Sequence, residues 1–437
     1  LAHGNGKPPA ESLLANLDKA TDGWVGALQL LLAAGIRGPE SDIPAGAGPA
    51  QPGSDLHRYL TEEVLRRLPD ALREWMLYTS SLEELDMDLL GTLFPPATCD
   101  ANLHELLSRK LVTAYHGTTR PVFRFYTLLQ DFLRARFQVE IPGAKRDAFH
   151  RRAAEAYASR GDTIRAGRLL ACSSDPAELA AFLKLHALSL LDQGHYQALL
   201  TWFEELPHQA LDADPWLRLR LADVRHYLGD LPGAELEYER ARGQFDQSVD
   251  AEGEAWAVIG LGRIWNMRGQ ADRTVDQGME VLSELDQQPD TESRDEILVR
   301  LLQVLSGAQF YLGRYEAALE LLDRLETHSQ GRPERQAAVW NNRAVVWASQ
   351  GNYTAAARAF ERGLERPGVR GLPRASTHLA NLALLLEELG DYERAQALFH
   401  EAMDLAHRYR NRSLLVACLR GQARLAYLLA DLERSLG

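Results

Sequence analysis

One short phrase recurs through the last two-thirds of the chain: a glycine, an aromatic or aliphatic residue two places on, and a small residue at the fifth place. Three copies agree at all three positions: Gly313-Arg314-Tyr315-Glu316-Ala317-Ala318, Gly351-Asn352-Tyr353-Thr354-Ala355-Ala356 and Gly390-Asp391-Tyr392-Glu393-Arg394-Ala395. Weaker copies start at Gly161, with Ala166 at the small position, Gly194, with Tyr196, Gly229, with Ala234, and Gly269. Successive glycines lie 33, 35, 40, 44, 38 and 39 residues apart. That period is the mark of paired helices stacked into an array, in which each pair buries its apolar face only against its neighbours. The glycine supplies a left-handed or tight turn between antiparallel helices. The small residue lets the second helix approach the first, and the aromatic wedges against the following pair. Residues 141–437 are therefore read as an α-α superhelix of tetratricopeptide-like repeats, about seven to eight helix pairs.

The part before this array has a different grammar. Residues 1–35 carry Leu13, Leu14, Leu17, Trp24, Leu28 and Leu31 at helical spacing. The stretch 36–55 holds Pro39, Pro44, Pro49 and Pro52 among glycines, a density that no helix or strand survives, so it reads as a linker. Within 56–140, helices are expected near 56–68, 70–80, 86–94 and 101–110. Strands at 111–115 and 122–125 follow, turned by His116-Gly117-Thr118-Thr119, and a helix closes the unit at 126–139. Three helices, a two-stranded wing and a closing helix describe a winged-helix domain. The expected fold class is mainly α.

Charge and composition remove several functions. The chain has 437 residues with 48 basic against 61 acidic side chains, a net charge of −13, which repels phosphate backbones. Direct nucleic-acid binding is not expected. The candidate recognition helix, 101–110, offers His104, Arg109 and Lys110 offset by Asp100 and Glu105, so DNA binding through a winged helix stands as the weakest of three readings. No apolar run reaches the ~20 residues that cross a bilayer, and no membrane partner is expected. Cys99, Cys172 and Cys418 are far apart and form no CxxC, so they read as free thiols in a reducing, cytoplasmic setting. The polar start of the chain is no signal peptide, and an opening Leu1 in place of methionine points to a segment of a longer protein.

Chemistry-bearing motifs are missing. No GxSxG elbow, HExxH or Cys-His arrangement appears, and His150, His186 and His195 lack metal-ligand spacing. Gly4-Asn5-Gly6-Lys7, followed by two prolines, is a poor phosphate loop. Glu62-Glu63 and Glu83-Glu84 are adjacent carboxylates that point apart on a helix and read as solvated. Arg66-Arg67 and Arg151-Arg152 are short basic spots expected to meet carboxylates of a neighbouring domain. The chain is read as a non-enzyme with no cofactor and no metal in this segment.

Asn342 and Asn381 each lie nine positions before a repeat glycine, so they hold equivalent places on consecutive first helices. Asparagine is a mediocre helix former and needs a reason to sit mid-helix. One reason is hydrogen bonding between neighbouring helices. The other is a carboxamide ladder, assisted by Asn341, gripping an extended peptide on the concave face. Trp340, Trp347 and Trp265 read as interhelix wedges.

The first 160 residues or so resemble the MalT-like family of large ATP-binding transcription regulators, of the signal-transduction ATPase class. The phrases that carry this are Thr21-Asp22-Gly23-Trp24-Val25, Tyr59-Leu60-Thr61-Glu62-Glu63-Val64-Leu65, Leu68-Pro69 with Thr79-Ser80, Phe123-Arg124-Phe125-Tyr126-Thr127-Leu128, Asp131-Phe132-Leu133-Arg134 and Phe149-His150-Arg151-Arg152-Ala153-Ala154. The resemblance implies that 1–35 is a helical remnant of an upstream ATPase module, which would be a partner within the parent chain. It also implies a sensor role, with a peptide, protein or small-molecule effector on the superhelix. Related switches often carry a histidine facing the nucleotide at the position of Tyr126, followed by proline where this chain has Thr127. Tyr126 and Thr127 are thus candidates for an interdomain or nucleotide-facing contact, though a phenol cannot become cationic near neutral pH. That departure favours the alternative of a freestanding protein-interaction scaffold. The family commonly ends in a helix-turn-helix, whereas Leu414 to Gly437 reads as a further repeat pair.

Overall fold

The computed structural model describes residues 60–116, 121–366, 368–372, 375–408 and 412–436. The expectations for 1–35, for the linker 36–55 and for the wing turn at 117–119 lie outside the described residues. The chain forms two compact units, one ending at Ala213 and one beginning at Asp214.

In the first unit, Leu60–Val64 is a π-type turn and Leu65–Arg67 a 3-10 turn, in place of the regular helix expected at 56–68. Helix α1 (Asp70–Thr79) buries Leu72, Trp75, Met76 and Thr79 at three- and four-residue spacing. Helix α2 (Met87–Leu93) is capped by the Asp86 carboxylate, which accepts from the Asp88 amide at 2.9 Å. Helix α3 (Pro96–Ser108) starts five residues earlier than the sequence pattern predicts, because Pro96 sits in its first turn, where a missing N–H costs nothing. Strands β1 (Val112–His116) and β2 (Pro121–Phe125) pair antiparallel, Val112 opposite Phe125. Leu85 bridges Phe123 on the other side of β2. Helix α4 (Thr127–Glu140) closes the domain with Leu129, Phe132, Leu133 and Phe137 buried. This is a winged helix.

Helices α5 (Gly143–Ser159), α6 (Thr163–Ala171), α7 (Pro176–Asp192), α8 (Tyr196–Glu204) and α9 (His208–Ala213) complete the unit. Phe149 of α5 inserts among winged-helix aromatics, its ring centroid 5.1 Å from Tyr78 and 5.9 Å from Phe94. Glu83 and Glu84 lie in the loop between α1 and α2, not on a helix, and this overturns their reading as solvated carboxylates. Arg165 reaches both at 3.0 Å, Arg168 also binds Glu83, and Arg160 binds Asp86. Arg151 pairs with Glu178, whereas Arg152 donates to the Leu93 carbonyl at 2.7 Å.

The second unit is an array of antiparallel pairs: α10 (Pro215–Leu228) with α11 (Leu231–Ser248), α12 (Ala251–Met267) with α13 (Ala271–Asp286), and α14 (Glu292–Tyr311) with α15 (Tyr315–Thr327). Then come α16 (Pro333–Ser349) with α17 (Tyr353–Leu364) and α18 (Ala375–Glu388) with α19 (Tyr392–Arg408), and α20 (Arg412–Leu436) follows. The residues expected to form a final pair make one helix instead. Gly421 does not break it; it lies inside α20, where an added Cβ would meet the Phe399 ring at 2.4 Å.

All seven repeat glycines take φ between 70° and 86°, the left-handed turn that an L-residue with a Cβ adopts only at a cost. The small residues five places on, Ala234, Ala318, Ala356 and Ala395, are completely buried. The aromatic position varies. Tyr315 packs 6.0 Å from Phe310 and Tyr392 is half-buried, but Tyr353 is 44% exposed. First and second helices bury differently. In α13 the buried residues form one stripe, Ala271, Thr274, Gly278, Val281, Leu282 and Leu285, whereas α12 is buried almost without a break from Ala257 to Leu261. A first helix touches its own partner, the preceding second helix, and other first helices: α10 meets α12, α12 meets α14, and α16 meets α18.

Candidate partner-binding surface

Asn341, Asn342 and Asn381 come together on the layer of first helices. Asn381 of α18 donates through Nδ2 to Asn341 Oδ1 at 3.1 Å, and Asn341 Nδ2 donates to Asn342 Oδ1 at 3.2 Å. Asn341 is buried and its two neighbours are half-buried. The carboxamides therefore form a hydrogen-bonded chain across one step of the array, with Asn341 as its centre. These two bonds use neither Asn342 Nδ2 nor Asn381 Oδ1, so the chain ends in a donor group on one side and an acceptor on the other.

Three large side chains occupy another equivalent place, two residues before a turn glycine. Tyr227, Met267 and Tyr311 are 52%, 64% and 63% exposed, at the ends of α10, α12 and α14. The packing of α12 explains why they reach solvent: its other faces are consumed by α11, α13 and its neighbouring first helices. Gly260 allows that approach, since a Cβ there would stand 2.3 Å from the Tyr238 ring. Near this row, Asn266 donates to the Val304 carbonyl at 3.1 Å, and its Oδ1 has no hydrogen-bond partner among the described residues.

The tryptophans divide. Trp265 is buried, with Nε1 donating to Glu235 at 3.1 Å and the Arg273 guanidinium 4.4 Å from its ring centroid. Trp347 packs on the α16–α19 core. Trp340 is half-buried under two guanidinium groups, Arg362 at 4.2 Å and Arg343 at 5.0 Å.

Tyr126 is the N-cap residue of α4, half-buried, with no side-chain cap hydrogen bond, and the exposed Thr127 opens the helix. They belong to the first unit, the asparagines to the second. Arg109, the main cation of the helix read for DNA contact, is tied to Glu105 at 2.6 Å. No group of three or more histidine, cysteine or carboxylate side chains that could hold a metal occurs among the described residues. None of the described helices is long and apolar enough to cross a membrane.

Sequence reasoning missed His150 and Tyr157 as a pair. They are seven residues apart on the buried face of α5, and both are nine-tenths buried or more. His150 Nδ1 and the Tyr157 hydroxyl lack hydrogen-bond partners among the described residues. Burial lowers the His150 pKa and pushes the Tyr157 phenol up to about 12, so both are neutral. The available signal was two polar-tipped residues repeated at seven-residue spacing on an apolar face.

This geometry defines a class: a winged helix followed by stacked helix pairs. Comparison places it more narrowly. Residues 61–145 match the model of the MalT winged helix domain, and residues 308–370 and 349–406 match that of the tetratricopeptide repeat. The chain carries a MalT-like winged helix joined to tetratricopeptide-type repeats. It is 28% identical over 283 residues to the serine/threonine-protein kinase PknK of Mycobacterium tuberculosis, covering 63% of this chain and 25% of that protein. It is 28% identical over 246 residues to the HTH-type transcriptional regulator MalT of Serratia proteamaculans, covering 54% of this chain and 27% of that one. The chain thus spans about a quarter of the length of these curated relatives. The crystal structure of a STAND protein with a tetratricopeptide repeat sensor from Pyrococcus horikoshii shares the fold, with a TM-score of 0.57 at 14% identity. That match covers 95% of this chain and 62% of the other.

Proposed function

We propose that the chain is the sensor and regulatory segment of a bacterial transcription regulator. A peptide, protein or small-molecule effector binds the open face of the first-helix layer, and the winged helix relays its occupancy to an ATPase module of the parent protein. On this reading residues 1–35 are the tail of that module and 36–55 the linker to the winged helix. The observation that carries it is the Asn341–Asn342–Asn381 chain. Its spare donor and acceptor match the C=O and N–H of one extended backbone unit, and the exposed Tyr227, Met267 and Tyr311 offer apolar surface on first helices of the same unit. The relatives agree in kind, being named as a transcriptional regulator and as a protein with a repeat sensor.

A relay needs two arrangements of the winged helix, with the effector binding one better. A displayed peptide library selected on the intact chain tests the first step. Asn342→Ala with Asn381→Ala should weaken the selected peptides at least tenfold, and unchanged affinity dismisses the ladder as a grip. Solution scattering with and without a selected peptide tests the second step, which fails if the scattering curve does not change.

Tyr126 favours a second reading, a freestanding interaction scaffold without ATPase coupling, because a tyrosine stands where related switches carry a histidine. Nucleotide binding by the full parent protein that is indifferent to Tyr126→His would support the scaffold.

A further inference from the structure

Loop 80–86, between α1 and α2, is tied down on three sides. Its start is held by the closing helix α4. Gln130 donates to the Ser80 and Leu82 carbonyls at 3.1 and 2.7 Å, and Arg134 Nε donates to the Ser80 carbonyl at 2.9 Å. Its middle is held by the wing. Leu85 and Phe123 exchange both backbone hydrogen bonds, at 2.7 and 3.2 Å, and Arg124 of β2 pairs with Glu84. Its carboxylates are held by the first repeat pair: Arg160 binds Asp86, Arg168 binds Glu83, and Arg165 binds both Glu83 and Glu84.

Arg165 is fixed in place. Its Nε, Nη2 and Nη1 meet three separate carboxylates at 3.0 Å, those of Glu83, Glu84 and Asp162. Asp162 also caps α6, accepting from the Arg165 amide at 3.1 Å. The cation is thereby locked to the turn between α5 and α6. Glu84 is shared in the same way, between Arg165 of the repeats and Arg124 of the wing. Both partners in each of these pairs are partly exposed, so one pair biases an equilibrium by about fivefold or less. Such a tie holds while it is shut and costs little to open.

Tyr126 follows Phe123 by three residues and, with Thr127, opens α4. We propose that loop 80–86 is the coupling element by which the first repeat pair positions β2 and, through it, Tyr126 and Thr127. A shift of the α5–α6 turn moves the carboxylates, the Leu85–Phe123 bridge carries the shift to β2, and β2 delivers it to the start of α4. Coupling of this kind is a free energy shared by two sites, visible from either end. Its use in a relay rests on the regulatory reading above, but the coupling itself needs no effector. A failed peptide selection leaves it standing, and its own failure leaves the asparagine chain untouched.

The test is hydrogen exchange on the intact chain, read in segment 121–130 with α1 as the internal reference. Arg165→Gln with Arg168→Gln removes the repeat side of the tie without touching the wing. Exchange in 121–130 should rise about three- to tenfold over any change in α1. Arg168→Lys, which keeps the charge, should stay within about twofold of the parent chain, and so should Arg151→Gln, whose partner Glu178 lies within the repeats. Raising the salt from about 0.1 to 1 M, which shortens the screening length from about 10 to 3 Å, should loosen 121–130 in the parent chain and do so less in the double variant. If the double variant does not fold, Arg168→Gln alone and the salt series carry the test. Unchanged exchange in 121–130, a rise no larger than that in α1, or the same rise in Arg151→Gln overturns the coupling.

Discussion

The joint between winged helix and repeats in the first unit and the helix steps in the second unit are held by different forces. At the joint, the loop carboxylates Glu83, Glu84 and Asp86 receive Arg165, Arg168 and Arg160, with every partner partly exposed. The same joint encloses a cleft between α4, α5, α6 and α8, and His150 Nδ1 and the Tyr157 hydroxyl are buried beside it without hydrogen-bond partners among the described residues. The array's step from α14 to α16 has a dry core: Ala318, Leu325, Val339 and Leu298 are fully buried in it. Shape fixes the steps, and a missing or added methyl group is felt at once. At the joint, screened charges and a cleft flank the Phe149 aromatic contacts, which permits adjustment. Regulation that moves one part against another is expected at the joint.

The largest test contrasts ion pairs. Arg218 and Glu237, on α10 and α11, are both 5% exposed, with Nη1 to Oε2 at 2.5 Å. Glu237→Ala takes the buried carboxylate away from Arg218, whose Nε keeps Gln244 Oε1 at 3.2 Å, and should cost about 3–5 kcal/mol in denaturant unfolding of the chain. A loss below about 1 kcal/mol would mean that water reaches this pair and that the steps are less dry than drawn. Next comes Gly260→Ala, which forces a methyl group against Tyr238 and should cost about 1–3 kcal/mol. A neutral outcome would show that the α11–α12 crossing relaxes freely. Smaller again is Glu83→Ala at the joint. Its arginine partners are 29% and 57% exposed, so the loss should stay near 1 kcal/mol or less and shrink in high salt. A loss as large as that at Glu237 would erase the distinction between the two regions.

How much of this was legible in the sequence depends on whether neighbours along the chain decide the outcome. The repeat glycines and their alanines are local signals, and the turn geometry at Gly313 or Gly351 follows from residue type alone. The winged helix was also readable, since its wing needs only two β-prone runs. Pro96 hid the true start of α3 because Pro95-Pro96 reads as a break and also serves as a helix start. Glu83-Glu84 was misread because a helix was assumed where a loop stands, and its partners lie some eighty residues further on. Asn341 shows the same limit at the candidate site. The repeat register singled out Asn342 and Asn381, but the central hydrogen bond depends on side-chain directions across two helices, which no spacing encodes. The cleft was invisible for that reason too: its walls come from four helices, and a lone histidine on an apolar face carries no sign that it lacks a partner.

The smallest effect expected near neutrality is a difference in pH response. Burial lowers the pKa of His150 at the joint below 6.5, with Asp147 opposing and Arg146 adding to the fall. Burial likewise lowers that of His226 in the array, with Arg263 adding to the fall and Asp223 opposing it. In both cases the unfolded chain binds more protons than the folded one between the depressed value and ~6.5, so stability rises with pH across that window. The contribution is complete above the unfolded value and is lost as the pH falls towards the folded one. Carboxylates also titrate in acid, so the useful quantity is a difference between variants. His150→Phe should flatten the acid-side loss of hydrogen-exchange protection in α5 and leave α10 unchanged, and His226→Phe should do the reverse.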